Sequence, residues 1–203
     1  MKINSKDSTF FVSVALSKSN KVDIILDPSE KDLKKLKSKA DILILSKPEK
    51  DIYDISEGGF LISGPGEYEI KEVFINGIAA LNNKKEFISI YTIEAEDIKI
   101  CYLGKFGQQE LSEKQLEKIN SIDVLMVPVS GQECLSAKQA VKVISQLEPK
   151  IIIPTQPENK KSEVKLKDFL KEIGAKDVEK IEQLSFKKSD LKDQAIKIVI
   201  LKN

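Results

Sequence analysis

The chain contains no histidine and, among its 33 basic residues, no arginine; every one is lysine. Histidine is the commonest protein metal ligand and the commonest general base near neutral pH. Without it a chain cannot build a His-rich zinc centre, a Ser-His-Asp triad or a Cys-His pair. The missing arginine argues against bidentate recognition of phosphate or base edges, although lysines can still line an anion site. Aromatic residues make up only 6% of the sequence, which leaves few stacking platforms for single-stranded nucleic acid. Cysteine is nearly absent too. Cys101 and Cys134 form no CxxC and no secreted-type framework, so they read as small core residues in a reducing cytosol. No apolar run approaches the length that spans a bilayer, and the opening MKINSKDSTFF lacks a signal-peptide core.

What is present is a balanced, core-rich chain. Apolar residues at 41% supply a buried interior, and 33 basic against 32 acidic residues create no global field. The length fits one domain, expected over residues 1–203. The first half reads as strands: Thr9–Leu16, Val22–Leu26, the almost wholly apolar Asp41–Leu45, Phe60–Ser63, segments through Glu67–Ile70 and Val73–Leu81, then Phe87–Ile93 and Ile98–Leu103. Between them the pattern predicts a lysine-rich helix over Glu30–Lys39, with Asp27 or Ser29 as its cap, and a polar hairpin tip at Asn82–Lys85. The second half alternates. Helices are expected at Ser112–Ile119 (with a Ser112/Gln115 capping box), Ser136–Leu147 and Val164–Ile173. Buried strands are expected at Val124–Val129 and Ile151–Ile153, and one or two last strands around Phe186 and Ile196–Leu201. A β-rich half followed by β-α-β-α alternation implies an α/β fold of two sheets with helices outside.

Seven segments in order carry a resemblance: KDSTFFVS, LDP at Leu26–Pro28, ADILILSKPEKDIYD at Ala40–Asp54, SGPGEYEIKEVFINGI at Ser63–Ile78, KICYLGKFG at Lys99–Gly107, IDVLMVPV at Ile122–Val129 and PKIIIPTQP at Pro149–Pro157. Together they resemble the metallo-β-lactamase fold, and most closely its small bacterial hydrolases grouped with the ascorbate-6-phosphate lactonases. The resemblance implies a four-layer αββα sandwich of two mixed β-sheets with helices on the outer faces, and a bacterial, cytoplasmic protein.

The resemblance also implies a metal centre, and there the chain departs from the family. In the Thr/Ser-His-x-His-x-Asp-His stretch, Ser46 and Asp51 are kept, whereas Lys47, Glu49 and Ile52 stand where histidines belong. Asp7 replaces the first strand's histidine, Lys105 the aspartate that bridges two metals, and Gln156 the last histidine; Asn82 falls near a further histidine. One retained carboxylate cannot hold zinc. The candidate residues of the vestigial pocket are therefore Asp51, Lys47, Glu49, Lys105, Gln156 and Asp7, with no cofactor expected. Lys47 or Lys105 is expected within ion-pair distance of Asp51, where an ammonium would offset carboxylate repulsion.

Bland readings compete at each position. Asp51 can cap a turn after a buried strand. Glu49, Asp51, Asp54, Asp7 and Glu67 can be surface acids as readily as an oxygen site for Mg²⁺ or Mn²⁺. Gly64-Pro65-Gly66 lacks the Lys-Ser/Thr of a phosphate loop and reads as a tight turn. Gly104 and Gly107 read as glycines where backbones pass closely. The lysine runs at Lys31–Lys39 and Lys160–Lys167 are interleaved with acids and read as solvated faces. Three functions follow: a non-catalytic binding or scaffolding module, a hydrolase with a carboxylate-bound Mg²⁺/Mn²⁺ or a metal-free Lys105/Asp51 site, and a nucleic-acid-binding module, the last disfavoured by the charge balance. The expected partner is a protein or a small anionic ligand, with no membrane, and the small size is compatible with a homodimer.

Overall fold

A computed structural model describes residues 1–6, 8–16, 20–28, 40–47, 59–129, 134–155, 160–176, 178–192 and 195–202. Its strands are β1 (Lys2–Lys6), β2 (Thr9–Ala15), β3 (Lys21–Leu26), β4 (Ile42–Ile44), β5 (Phe60–Ile62), β6 (Gly66–Ile70), β7 (Val73–Leu81), β8 (Phe87–Ala95), β9 (Ile98–Tyr102), β10 (Val124–Pro128), β11 (Ile151–Thr155), β12 (Glu179–Ile181), β13 (Gln183–Ser185) and β14 (Lys197–Leu201). Three helices are described: α1 (Glu113–Ile119), α2 (Ala137–Leu147) and α3 (Lys160–Glu172).

The strands form two mixed sheets. One runs β13-β1-β2-β3-β4-β5; the other runs β12-β14-β11-β10-β9-β8-β7-β6. In the first, β1, β2 and β3 pair antiparallel while β3, β4 and β5 are parallel. In the second, β9, β10, β11, β14 and β12 are parallel, and β6 to β9 form an antiparallel meander.

The side-chain alternation of β10 shows why its sequence is wholly apolar. Val124 and Met126 enter the core between the sheets, whereas Leu125 and Val127 enter the layer beneath the helices. A strand covered on both faces has no polar side to write. Ala140, Val143, Ile144 and Leu147 of α2 and Phe169 of α3 complete that helical layer. A third apolar cluster, Ile25, Ala40, Leu43 and Leu45, lies on the outer face of the first sheet. The helix expected over Glu30–Lys39 falls outside the described residues.

Several boundaries differ from the sequence reading. β1 was not anticipated, because KINSK offers one core side chain, Ile3, among polar neighbours. Phe186 is buried in the core but follows β13 rather than lying within a strand. α3 begins at Lys160, earlier than Val164, since its first turn is polar and carries no periodic apolar signal. The expected capping box holds: Ser112 Oγ accepts from Gln115 N, and the Gln115 side chain accepts from Ser112 N at 3.0 Å. Ser136 and Gln139 repeat the arrangement at α2.

At both lateral margins the chain passes directly from one sheet to the other. β5 is followed by Ser63-Gly64-Pro65 and then β6, and β12 by Glu182 and then β13. Gly64 is held at the first crossing by Tyr68, whose hydroxyl donates to Gly64 O at 3.2 Å. Tyr91 crosses the sandwich and donates its hydroxyl to Leu45 O at 3.0 Å. Gly77 is required opposite, because a Cβ there would lie 2.5 Å from Gly64 O.

Candidate functional site

The ends of β3, β4 and β9 and the β7–β8 hairpin tip converge at one end of the sandwich. Beneath this mouth lies a hydrogen-bonded knot centred on Asp27. Its Oδ1 accepts from Ser46 N at 2.6 Å; its Oδ2 accepts from Ser46 Oγ at 2.5 Å and from Tyr102 OH at 2.7 Å. Asp27 therefore links all three strand ends; the helix that it or Ser29 was expected to cap lies outside the described residues. Its φ of 41° is tolerable because aspartate visits the left-handed region more readily than most residues. Burial, and then the Asp27 charge, push the Tyr102 phenol well above its ordinary value, so it stays protonated and donates.

Gly104 closes the knot from β9's side. Its φ is 53°, and a Cβ there would lie 2.2 Å from Ser46 Cβ. Gly107 makes the next close approach: its N–H donates to Leu81 O at 3.0 Å, and a Cβ would fall 2.1 Å from Asn83 N. Lys105, half-buried, is thus carried between Ser46 and the hairpin tip, as the sequence spacing of the two glycines implies.

The hairpin tip is organised by Asn82, which is 2% exposed. Its Oδ1 accepts from Lys84 N and Glu86 N at 2.9 and 3.0 Å, and its Nδ2 donates to Glu86 Oε2 at 2.8 Å. Glu86 Oε2 also receives Lys47 Nζ at 2.7 Å. The Lys47 hydrogen bond, with help from Asn82, holds the Glu86 carboxyl below its usual range. Lys47 thus has Glu86 as a carboxylate partner, a pairing that sequence reasoning missed because the two are 39 positions apart. Asp7, Glu49, Asp51, Ile52 and Gln156 lie outside the described residues, as does the proposed partner pairing to Asp51.

Above the knot, Leu81 and Phe87 are cross-strand partners. They share the face of the second sheet that carries Ile75, Tyr91 and Ile93 into the inter-sheet core. Phe87 lies beyond that core's edge and is 80% exposed.

Of the candidate residues that are described, Lys47 and Lys105, and of nearby Asn82, none offers zinc a free donor atom. Lys47 and Lys105 end in ammoniums, which have no lone pair to give, and the Asn82 amide oxygen already accepts two backbone N–H groups. Among the described residues, no group of three or more His, Cys, Asp or Glu side chains could hold a metal ion. No described helix is long and apolar enough to cross a membrane.

Two mixed sheets face to face, helices packed against the second, and a polar mouth at the strand ends define the scaffold of the metallo-β-lactamase-fold hydrolases. The chain belongs to this superfamily: the model of the beta-lactamase superfamily domain matches residues 9–156. A proposed Zn-dependent hydrolase of the metallo-β-lactamase superfamily from Thermotoga maritima superposes with a TM-score of 0.76 at 26% identity, over 98% of this chain and 97% of that one. A proposed metal-dependent hydrolase from Parabacteroides distasonis gives a TM-score of 0.58 at 20% identity, over 84% and 87%. The metallo-β-lactamase-fold protein YhfI from Bacillus subtilis gives 0.64 at 10% identity, over 99% and 96%. The latter two are likenesses of fold. No curated protein is significantly similar to the chain.

Proposed function

We propose that this chain is a non-catalytic member of the superfamily, a binding or scaffolding module built on a hydrolase frame without the zinc centre. The observation that carries this reading is the Lys47–Glu86–Asn82 cluster. Lys47 and Asn82, which the sequence resemblance aligns with or near family ligands, are both bound into a turn-stabilising network through Glu86. The sequence supports it independently, since no imidazole exists anywhere to replace them.

The test is metal content by mass spectrometry on untagged protein, with turnover of phosphoester, lactone and β-lactam substrates after incubation with Zn²⁺, Mn²⁺ or Mg²⁺. No bound metal, no thermal shift and no turnover are expected. Robust hydrolysis by the zinc-loaded protein overturns the reading. Near-stoichiometric Mn²⁺ or Mg²⁺ that is lost in Asp51→Ala also overturns it and assigns a carboxylate-built hydrolase centre.

A further inference from the structure

We infer that the outer edge of β6 docks an extended, lysine-bearing segment of a partner protein, which joins the second sheet as its next strand. The first ground is an unpaired backbone edge. β6 ends the second sheet and pairs with β7 alone. The two are joined by the two-residue turn Lys71–Glu72, with φ of 49° and 63°, so Ile70 and Val73 form the closing hydrogen-bonded pair. By the antiparallel alternation, Tyr68 and Gly66 also turn their backbone groups to β7, whereas Glu67 and Glu69 turn their N–H and C=O groups away from it. The other terminal strands, β5, β12 and β13, have three residues each; β6 has five.

The second ground is charge, which the register enumerates. On the outward face of the β6–β9 meander, Glu69, Phe74, Glu94 and Lys99 form one cross-strand row, and Glu67, Asn76, Thr92 and Cys101 the next. Lys99 is paired with Glu94, and Lys71 of the turn with Asp41. Among the described residues the exposed side chains of Glu67 and Glu69 have no ion-pair or hydrogen-bond partner, so the edge carries two uncompensated carboxylates. The third ground is apolar surface on both sides of the edge. Phe74, between Glu69 and Glu94, is 53% exposed; Phe60, which shares the inward face of β5 with Ile62, is 55% exposed on the other side of the seam.

A strand laid along β6 meets all three. Its main chain pairs with the backbone of Glu67 and Glu69. Its residues opposite those carboxylates, two positions apart, are lysines whose stems lie towards Phe74. The apolar residue between them points inward, towards Phe60. A second copy of β6 would set glutamate against glutamate, and a nucleic-acid backbone would meet like charge. The edge lies towards the far end of β7 from the hairpin tip, so the inference stands apart from the reading of the mouth.

The experiment uses the full chain and a fluorescein-labelled Lys-Val-Lys-Val-Lys-Val peptide, followed by fluorescence anisotropy at low salt. Saturable binding is expected, weakening several-fold as salt brings the Debye length below ~10 Å. Glu67→Gln combined with Glu69→Gln is expected to weaken it by about fivefold, and both positions are exposed, so the core stays intact. With peptide bound, the amides of Glu67 and Glu69 are expected to gain protection from hydrogen exchange. The same peptide N-methylated at alternate residues keeps its charge but cannot donate to the edge, and is expected not to bind. Absence of binding at millimolar peptide overturns the inference, as does a double variant that binds like the parent chain. Equal binding of the N-methylated peptide, or of a Glu-Val-Glu-Val-Glu-Val peptide, overturns it too. Protection of the Glu67 and Glu69 amides by raised protein concentration alone assigns the edge to a second copy instead and overturns it.

Discussion

Replacing Asp27 with alanine should be one of the most damaging single changes at the mouth, although Asp27 is itself no member of an apolar cluster. The carboxylate accepts three hydrogen bonds, two of them from Ser46, which is fully buried, and one from Tyr102, which is 3% exposed. Alanine leaves all three donors without their acceptor. An orphaned buried donor costs about 1–3 kcal/mol. Asp27 itself is partly exposed, so water can reach part of the gap and the Ser46 hydroxyl can rotate; about 3 kcal/mol in total is the expected loss. With a urea m-value of about 2 kcal/mol per molar, the midpoint falls by about 1.5 M. The chain has no tryptophan, so the transition is followed by circular dichroism. The discriminating measurement is a double-mutant cycle with Tyr102→Phe. Alone, that variant loses one charge-assisted bond, about 1.5 kcal/mol. In the Asp27→Ala background it removes an already orphaned hydroxyl and should cost almost nothing. A midpoint shift under about 0.3 M for Asp27→Ala, or strict additivity of the pair, would refute the account of the knot.

Gly104→Ala should cost at least about 2 kcal/mol, because it combines a left-handed φ of 53° with a Cβ 2.2 Å from that of Ser46; a midpoint within error of the parent protein would contradict this. Burial pushes the Cys101 thiol up to about 12, so its reaction with Ellman's reagent at pH 8 should be slower than in the unfolded chain by about a thousandfold, and equal rates would show that the site opens readily. Burial opposes ionisation of Asp41, yet its hydrogen bonds from Lys71 and from Asp23 N outweigh that and lower its pKa. Its contribution is thus present above the unfolded carboxylate range and is lost as pH falls through the lowered value. The stability gap between the parent and Asp41→Asn, about 0.5–1 kcal/mol at pH 7 for a pair this exposed, should therefore close in acid, and a gap that widens instead would reverse the assignment.

The apolar strands were legible because burial on both faces leaves a continuous signal, as in Val124–Pro128 and Ile151–Thr155. The capping box at Ser112 was legible because Ser and Gln three positions apart specify their own geometry. The marginal strands β12 and β13, and β1 beside β13, were not, since each buries at most two side chains. The mouth was legible only in part. Gly104 and Gly107 announced close packing, but nothing local in Asp27, Ser46 and Tyr102 says that they share one carboxylate. Nor does the spacing of Lys47 and Glu86 announce an ion pair, because 39 positions separate them and only the β7–β8 hairpin brings them together.

The direct crossings from sheet to sheet at Ser63–Pro65 and at Glu182 lace the sandwich along both seams. A sandwich laced on one side can gape like a book, exposing the core between its leaves while each leaf stays folded. Laced on both, the leaves can part at a seam only if one of its edge strands is stripped from its sheet: β6 from β7 or β5 from β4 on one side, β13 from β1 or β12 from β14 on the other. The sheets should therefore melt as one cooperative unit, with amides of β3 and β10 exchanging together at the slowest rate. The lacing also leaves strands of only three residues at three of the four sheet ends, too short to template a neighbour's strand, while the fourth, β6, carries Glu67 and Glu69 outward.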